Sequence, residues 1–182
     1  MFASIAFWRA EHTGFGRLLD LLEKKLIAFH TGERPDYELM LDTIQYLRNF
    51  SDRYHHPRED VAFACLAKRD PSLAPLVERL HEEHRLLAAA GNDLHRLLTE
   101  ALADAMVARD RIEAAAADYL VLYRQHIASE EVSILPRANA LLTAEDWEKI
   151  ARAIPPGIDP LFGAQADPAY HQLRKQIALE AS

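Results

Sequence analysis

The sequence contains one cysteine and six glycines among 182 residues. No apolar run approaches the roughly 20 residues that a membrane-spanning helix needs. Cys65 has no partner for an internal disulfide, and its setting, VAFACLAK, reads as core. A chain of this length buries about two-thirds of the surface its unfolded form exposes, so it folds without covalent staples. Basic residues are outnumbered, 21 against 28 acids, and they are scattered; the net charge of −7 argues against a nucleic-acid partner. The opening MFASIAFWRAEH lacks a basic leader and a sustained apolar stretch, so no secretory signal and no membrane anchor are expected. These absences point to a soluble protein of the reducing cytoplasm.

Leu, Ala, Glu and Arg dominate, and no alternating β-branched run of useful length occurs, so the fold class is all-α. The first helix is expected over residues 4–30, with Phe7, Phe15, Leu18, Leu19, Leu22 and Leu26 at helical spacing. TGERPDY breaks it. The second is expected over 37–68, with Leu41, Ile44, Leu47 and Tyr54 on one stripe and Pro57 interrupting. Asp70-Pro71 stops and restarts the chain, giving a third helix over 72–103. The fourth covers 109–142 with a bend near Pro136. Four long helices with short breaks make an antiparallel up-down four-helix bundle, residues 1–142. The remainder, 143–182, reads as an extension packed across one end, with one or two short helices: one capped by Thr143, the other opened by Asp167-Pro168.

The chemistry lies in the histidines. Nine occur, and three have a carboxylate four residues later, on the same helix face: His55 with Glu59, His56 with Asp60, and His126 with Glu130. With 28 acids in the chain such pairs also arise by chance, so their positions carry more than their number. The chain divides into two halves. The first offers EHTGFGRLLDLL and then HHPREDVAF; the second offers EEHRLLAAAGNDL and then HIASEEVSI. From His12 to His55 is 43 residues, and from His84 to His126 is 42.

Each half, folded as a helical hairpin, returns its leading histidine beside its His-x-x-x-Glu pair. Two hairpins face to face would gather four imidazoles and two carboxylates in the core. Unpartnered, such groups cost several kcal/mol each. Divalent cations would compensate them, and a mixed nitrogen and oxygen donor set suits non-haem iron or manganese better than zinc. Taken singly, each of these histidines also reads as a core side chain satisfied by one hydrogen bond, and each glutamate as a surface acid.

Four pieces carry a resemblance: EHxxxxxLLDLLE at 11–23, HHPRED at 55–60, EEHRLL at 82–87 and HIASEEVSILPRA at 126–138. In combination they resemble the hemerythrin-like proteins, the HHE cation-binding domains. The resemblance implies a centre of two non-haem iron ions, with manganese or zinc as substitutes. Its implied ligands are His12, His55, Glu59, His84, His126 and Glu130, with the two glutamates bridging. Relatives commonly use about seven ligands, and two residues compete for the seventh place. His56 is the first choice and His81 the second, because His81-x-x-His84 departs from the family's His-x-x-x-His spacing. Successive helical residues point about 100° apart, so a kink at Pro57 is expected to let both His55 and His56 reach the centre.

Asp60 and Glu131 read as outer groups or surface acids, His30, His95 and His171 as surface residues, and Tyr54, Phe63, Tyr119, Leu122 and Tyr123 as core. Such a centre would bind O₂, peroxide or NO in carriage, sensing or stress response. A di-iron oxidoreductase, an iron-homeostasis protein and a metal-free helical interaction module are the alternatives. The sequence gives no oligomeric state.

Overall fold

The computed structural model describes residues 5–31, 36–155, 157–163 and 167–180, and these are helical with no strand. Helix α1 (Ile5–His30) buries Phe15, Leu18, Leu19 and Leu22 on one stripe. Asp36 caps α2 (Tyr37–Tyr46), its carboxylate accepting the Leu39 N–H at 3.3 Å. A π-helical segment, Leu47–His55, leads into α3 (His56–Arg69). The Asp70 carboxylate then accepts the Ser72 N–H, and a 3₁₀ turn at Pro71–Leu73 opens α4 (Ala74–Leu102). Helix α5 (Arg109–Ser129) passes through a second π segment, Glu130–Ile134, into α6 (Leu135–Leu141). Thr143 and Asp146 form a reciprocal capping box for α7 (Ala144–Ala153). Asp167 caps the 3₁₀ turn Pro168–Tyr170, which runs into α8 (His171–Glu180).

The second and fourth helices expected from the sequence are therefore each interrupted by a π segment rather than simply bent. Both segments close just ahead of a proline. The His56 N–H donates to the Ser51 carbonyl, and the Leu135 N–H to that of Glu130, each five residues back. Pro57 and Pro136 come directly after. Proline lacks an N–H and its ring crowds the carbonyl four residues earlier; the wider turn gives that carbonyl room. Arg58 takes up another carbonyl near the first segment, its Nε donating to Tyr54 O at 2.8 Å.

Side-chain pairs fix which helices lie together. Along α1 and α5, His30 meets Glu113, and Asp20 and Glu23 meet Arg124; His12 meets Glu131 in the π segment that follows α5. The first π segment and α3 lie along α4, where Arg48 meets Asn92 and Asp60 meets His84. The core falls into two hydrophobic clusters. One draws the buried apolar side chains from 15–22, 39–50, 87–98 and 112–123. The other draws Ile5, Trp8, Val77, Leu80 and the buried apolar side chains from 62–66 and 134–142. Between them lies a buried polar layer: Glu11, His12, Ser51, His55, His56, Arg58, Glu59, His84, His126 and Glu130.

Three expectations need correction. Tyr54 is not core: it lies at the end of the π turn and is 39% exposed. Phe7 also faces outward, beneath the Arg58 guanidinium at 5.4 Å. The tail does not stay at one end, because α7 contributes Ile150 to one cluster and the α8 region contributes Tyr170 and Leu173 to the other. Among the described residues no helix is long and apolar enough to cross a membrane. The expected start of the first helix, Ser4, lies outside the described residues.

Candidate metal centre

Four rods deliver the polar layer. Helix α1 supplies His12, the π segment and α3 supply His55, His56 and Glu59, α4 supplies His84, and α5 with its π segment supplies His126 and Glu130. Every one of the seven residues picked out in the sequence is buried. They gather into two groups, His12, His55, Glu59 and Glu130 in one and His56, Glu59, His84 and His126 in the other, with potential donor atoms within 4.8 Å of one another in each. His81 joins neither. It is about one-third exposed, with Nε2 3.3 Å from Asp60 Oδ1.

The glutamates lie between the groups. Glu59 sets Oε1 3.5 Å from His12 Nε2 and 3.2 Å from His55 Nε2, while its Oε2 is 3.7 Å from His84 Nε2. Glu130 sets Oε2 3.3 Å from His12 Nε2, and Oε1 3.4 Å from both His84 Nε2 and His126 Nε2. Each carboxylate thus turns one oxygen to each side. All four oxygens, with His84 Nε2 and His126 Nε2, are buried and have no hydrogen-bond partner. His12 Nε2 and His55 Nε2 are 3.0 Å apart. Buried polar atoms converging without partners are a destabilising arrangement in a pure protein core. Cations placed among them would satisfy every one, so the donor set fits metal ions.

Behind the imidazoles stands a ring of carboxylates. His12 Nδ1 donates to Glu131 at 2.9 Å, His55 Nδ1 to Glu11 at 2.8 Å, His84 Nδ1 to Asp60 at 2.7 Å and His126 Nδ1 to Glu83 at 3.0 Å. Such bonds fix the tautomer that aims Nε2 inward. The halves exchange under this pattern. The acid after each glutamate (Asp60, Glu131) holds the other half's leading histidine, and the acid before each leading histidine (Glu11, Glu83) holds its own half's returning one. His56 is built differently: Nε2 is 3.1 Å from Ser51 Oγ, itself 2.6 Å from the Tyr123 hydroxyl, and Nδ1 is 3.4 Å from Asp52. Its ring stacks on His84 with centroids 4.2 Å apart.

The electrostatics obey the same geometry. Burial opposes a charged imidazole at His12, but the Glu130 and Glu59 carboxylates outweigh it and raise its pKa to about 11. His84 behaves alike, burial being overcome by Asp60, Glu130 and Glu59, and rises to about 10. His55 is raised too, Glu59 and Glu11 outweighing burial. Burial would lift the Glu59 carboxyl, yet His55 and His12 hold it well below its usual range. His56 is pushed well below 6.5 by burial and by the neighbouring imidazoles His84, His55 and His126.

Sequence reasoning named the seven residues that gather in the two clusters but gave no role to Glu11 or Glu83. The Glu-His step repeated in both halves was their signal. Arg58, fully buried with Nη2 donating to Glu11 at 2.7 Å, has no sequence signature, since an arginine after His-His-Pro reads as surface. Ser51 reaches His56 through the π turn alone.

Residues 3–138 match the family described as Hemerythrin HHE cation binding domain. No curated protein matches the chain. The match spans the four rods that build the two clusters, and the protein belongs to the hemerythrin HHE cation-binding family.

Proposed function

We propose that this chain is a non-haem two-metal protein, its long rods forming an antiparallel four-helix bundle around two iron ions. Manganese or zinc would occupy the same donors. His12 and His55 would serve one ion, His84 and His126 the other, with Glu59 and Glu130 bridging and His56 the seventh donor. One observation carries this reading: each glutamate presents one unpartnered oxygen to each cluster. The metal pair would supply open coordination positions and electrons for binding O₂, peroxide or NO. The chain's own residues orient the imidazoles, hold their Nδ1 protons on carboxylates, and keep water out through Phe15, Phe50 and Phe63, all fully buried. We infer a role in carriage, sensing or stress response, in the cytoplasm, where the free and buried Cys65 stays reduced.

The test is metal analysis with an ultraviolet–visible spectrum, on protein given ferrous iron anaerobically and then air. Two ions per chain and new near-ultraviolet absorption are expected; no bound metal and no new band would overturn the reading. A second reading, peroxide decomposition or oxidase turnover, draws on the buried Tyr123 hydroxyl, 2.6 Å from Ser51 Oγ beside His56, which would donate a hydrogen bond to a bound oxygen species. Sustained peroxide consumption at steady state would favour it, because a carrier binds without turnover.

A further inference from the structure

The carboxylate ring is symmetric, but the cations behind it are not. On the His12–His55 side, Arg58 Nη2 donates to Glu11 Oε1 at 2.7 Å, while Glu11 Oε2 accepts from His55 Nδ1 at 2.8 Å. Arg58 is 1% exposed, so water screens this line little. Its Nε is spent on Tyr54 O, and Nη1 is buried without a partner. The other carboxylate on this side, Glu131, accepts from Arg9 Nε at 2.9 Å. On the His84–His126 side the backing is looser. Arg79, 57% exposed, comes only to 3.4 Å of Glu83 and spends a direct hydrogen bond on Ser129. Asp60 has the partly exposed His81 rather than an arginine.

Resting on the two-iron reading above, we propose that Arg58 is a positioning residue that tunes the His12–His55 position to be the more readily reduced, although His56 gives the other position a third imidazole. A carboxylate behind an imidazole raises the ring's basicity and its donation to the metal. A buried guanidinium sharing that carboxylate draws charge away from it, through a charge-assisted hydrogen bond in low dielectric. His55 therefore donates less than its counterpart His126, and weaker donation favours the ferrous ion. The step concerned is one electron from an electrode converting one ferric ion to ferrous, with no bond broken.

The experiment is a spectroelectrochemical titration of the iron-loaded full chain, with iron counted beforehand. The wild-type chain should reduce in two separated one-electron steps. Arg58→Met should lower the first step toward the second, and Arg79→Met should leave both in place. Arg58→Lys, which keeps the charge in a less constrained side chain, should shift the first step in the same direction by less, and it serves where the methionine variant does not fold. Two bound irons with steps unmoved in both Arg58 variants, or moved equally by Arg79→Met, would overturn this inference and leave the functional reading standing. A wild-type chain that binds no iron would overturn both.

Discussion

The two halves of the molecule are built to nearly the same measure, and the one-residue difference can be located. His12 stands 18 residues before the end of α1, and His84 stands 18 before the end of α4. The connectors 31–36 and 103–108 are equal in length. From the first residue of α2 to His55 is 18 residues, whereas from the first residue of α5 to His126 is 17. The surplus falls where the first half has its π segment and the second has regular α-helix. A π turn absorbs one inserted residue without rotating the helix beyond it. His55 and Glu59 therefore face the centre as His126 and Glu130 do, and the insertion instead changes His55's neighbours. It sets Ser51 beside His56 and turns Tyr54 outward. In the second half the residue after His126 is Ile127, packed against the larger cluster.

The largest expected break in this likeness is at the residues the halves share. Glu59→Ala removes the oxygens that face both clusters, and bound metal should fall from two ions per chain to none by elemental analysis. Retention of one ion would show that the clusters bind independently. Removing the metal is next. Ligand binding only the folded state at about a thousandfold over its Kd contributes about 4 kcal/mol, and in a chain of this size each kcal/mol moves Tm by about 2–4 °C. Calorimetry with and without chelator should therefore show a drop of about 10 °C.

Protons compare the halves directly, because His12 and His84 are both raised, to about 11 and about 10. For the metal-free chain their contribution is full below about pH 6.5, their unfolded value, and is gone once pH passes 10–11. Glu59 and Glu130 are depressed, so their contribution is full above about pH 4.5 and is lost as pH falls through their folded values. These are one set of ion pairs seen from both partners and count once. Urea unfolding of metal-free protein should show greatest stability between about pH 4.5 and 6.5. Metal uptake at pH 7 should release protons from both histidines, and a weakly buffered indicator assay showing none would contradict this.

Deleting Arg53, an exposed residue inside the first π segment, should convert that segment to α-helix and make the halves alike. Two bound ions should persist, with an altered spectrum as Ser51 leaves His56; loss of both would mean the π turn itself aims the ligands. The smallest effect is expected at His81→Ala, where metal content should not change.

Much of this was readable because ligand chemistry repeats in the sequence. His-x-x-x-Glu on a helix leaves two donors on one face, whatever the backbone does upstream. The π segments were less legible: Pro57 and Pro136 announce a disturbance, but a widened turn and a kink have the same local signal. Tyr54 was misplaced for that reason, since α-helical counting across the surplus residue gives the wrong face. Arg58 could not be seen at all, because only tertiary placement beside Glu11 makes an arginine interior. The tail's division between the two clusters likewise depends on where the connector after α7 leads.

The polar layer has a further consequence for cooperativity. Among the described residues the buried hydrophobic side chains form two separate clusters, with a layer of imidazoles, carboxylates, Ser51 and Arg58 between them. Whatever neutralises that seam also welds the ends into one unfolding unit. Stripped of its cations, the chain should open as two blocks with separate amide-exchange rates, the Trp8 end and the Tyr46 end reporting differently.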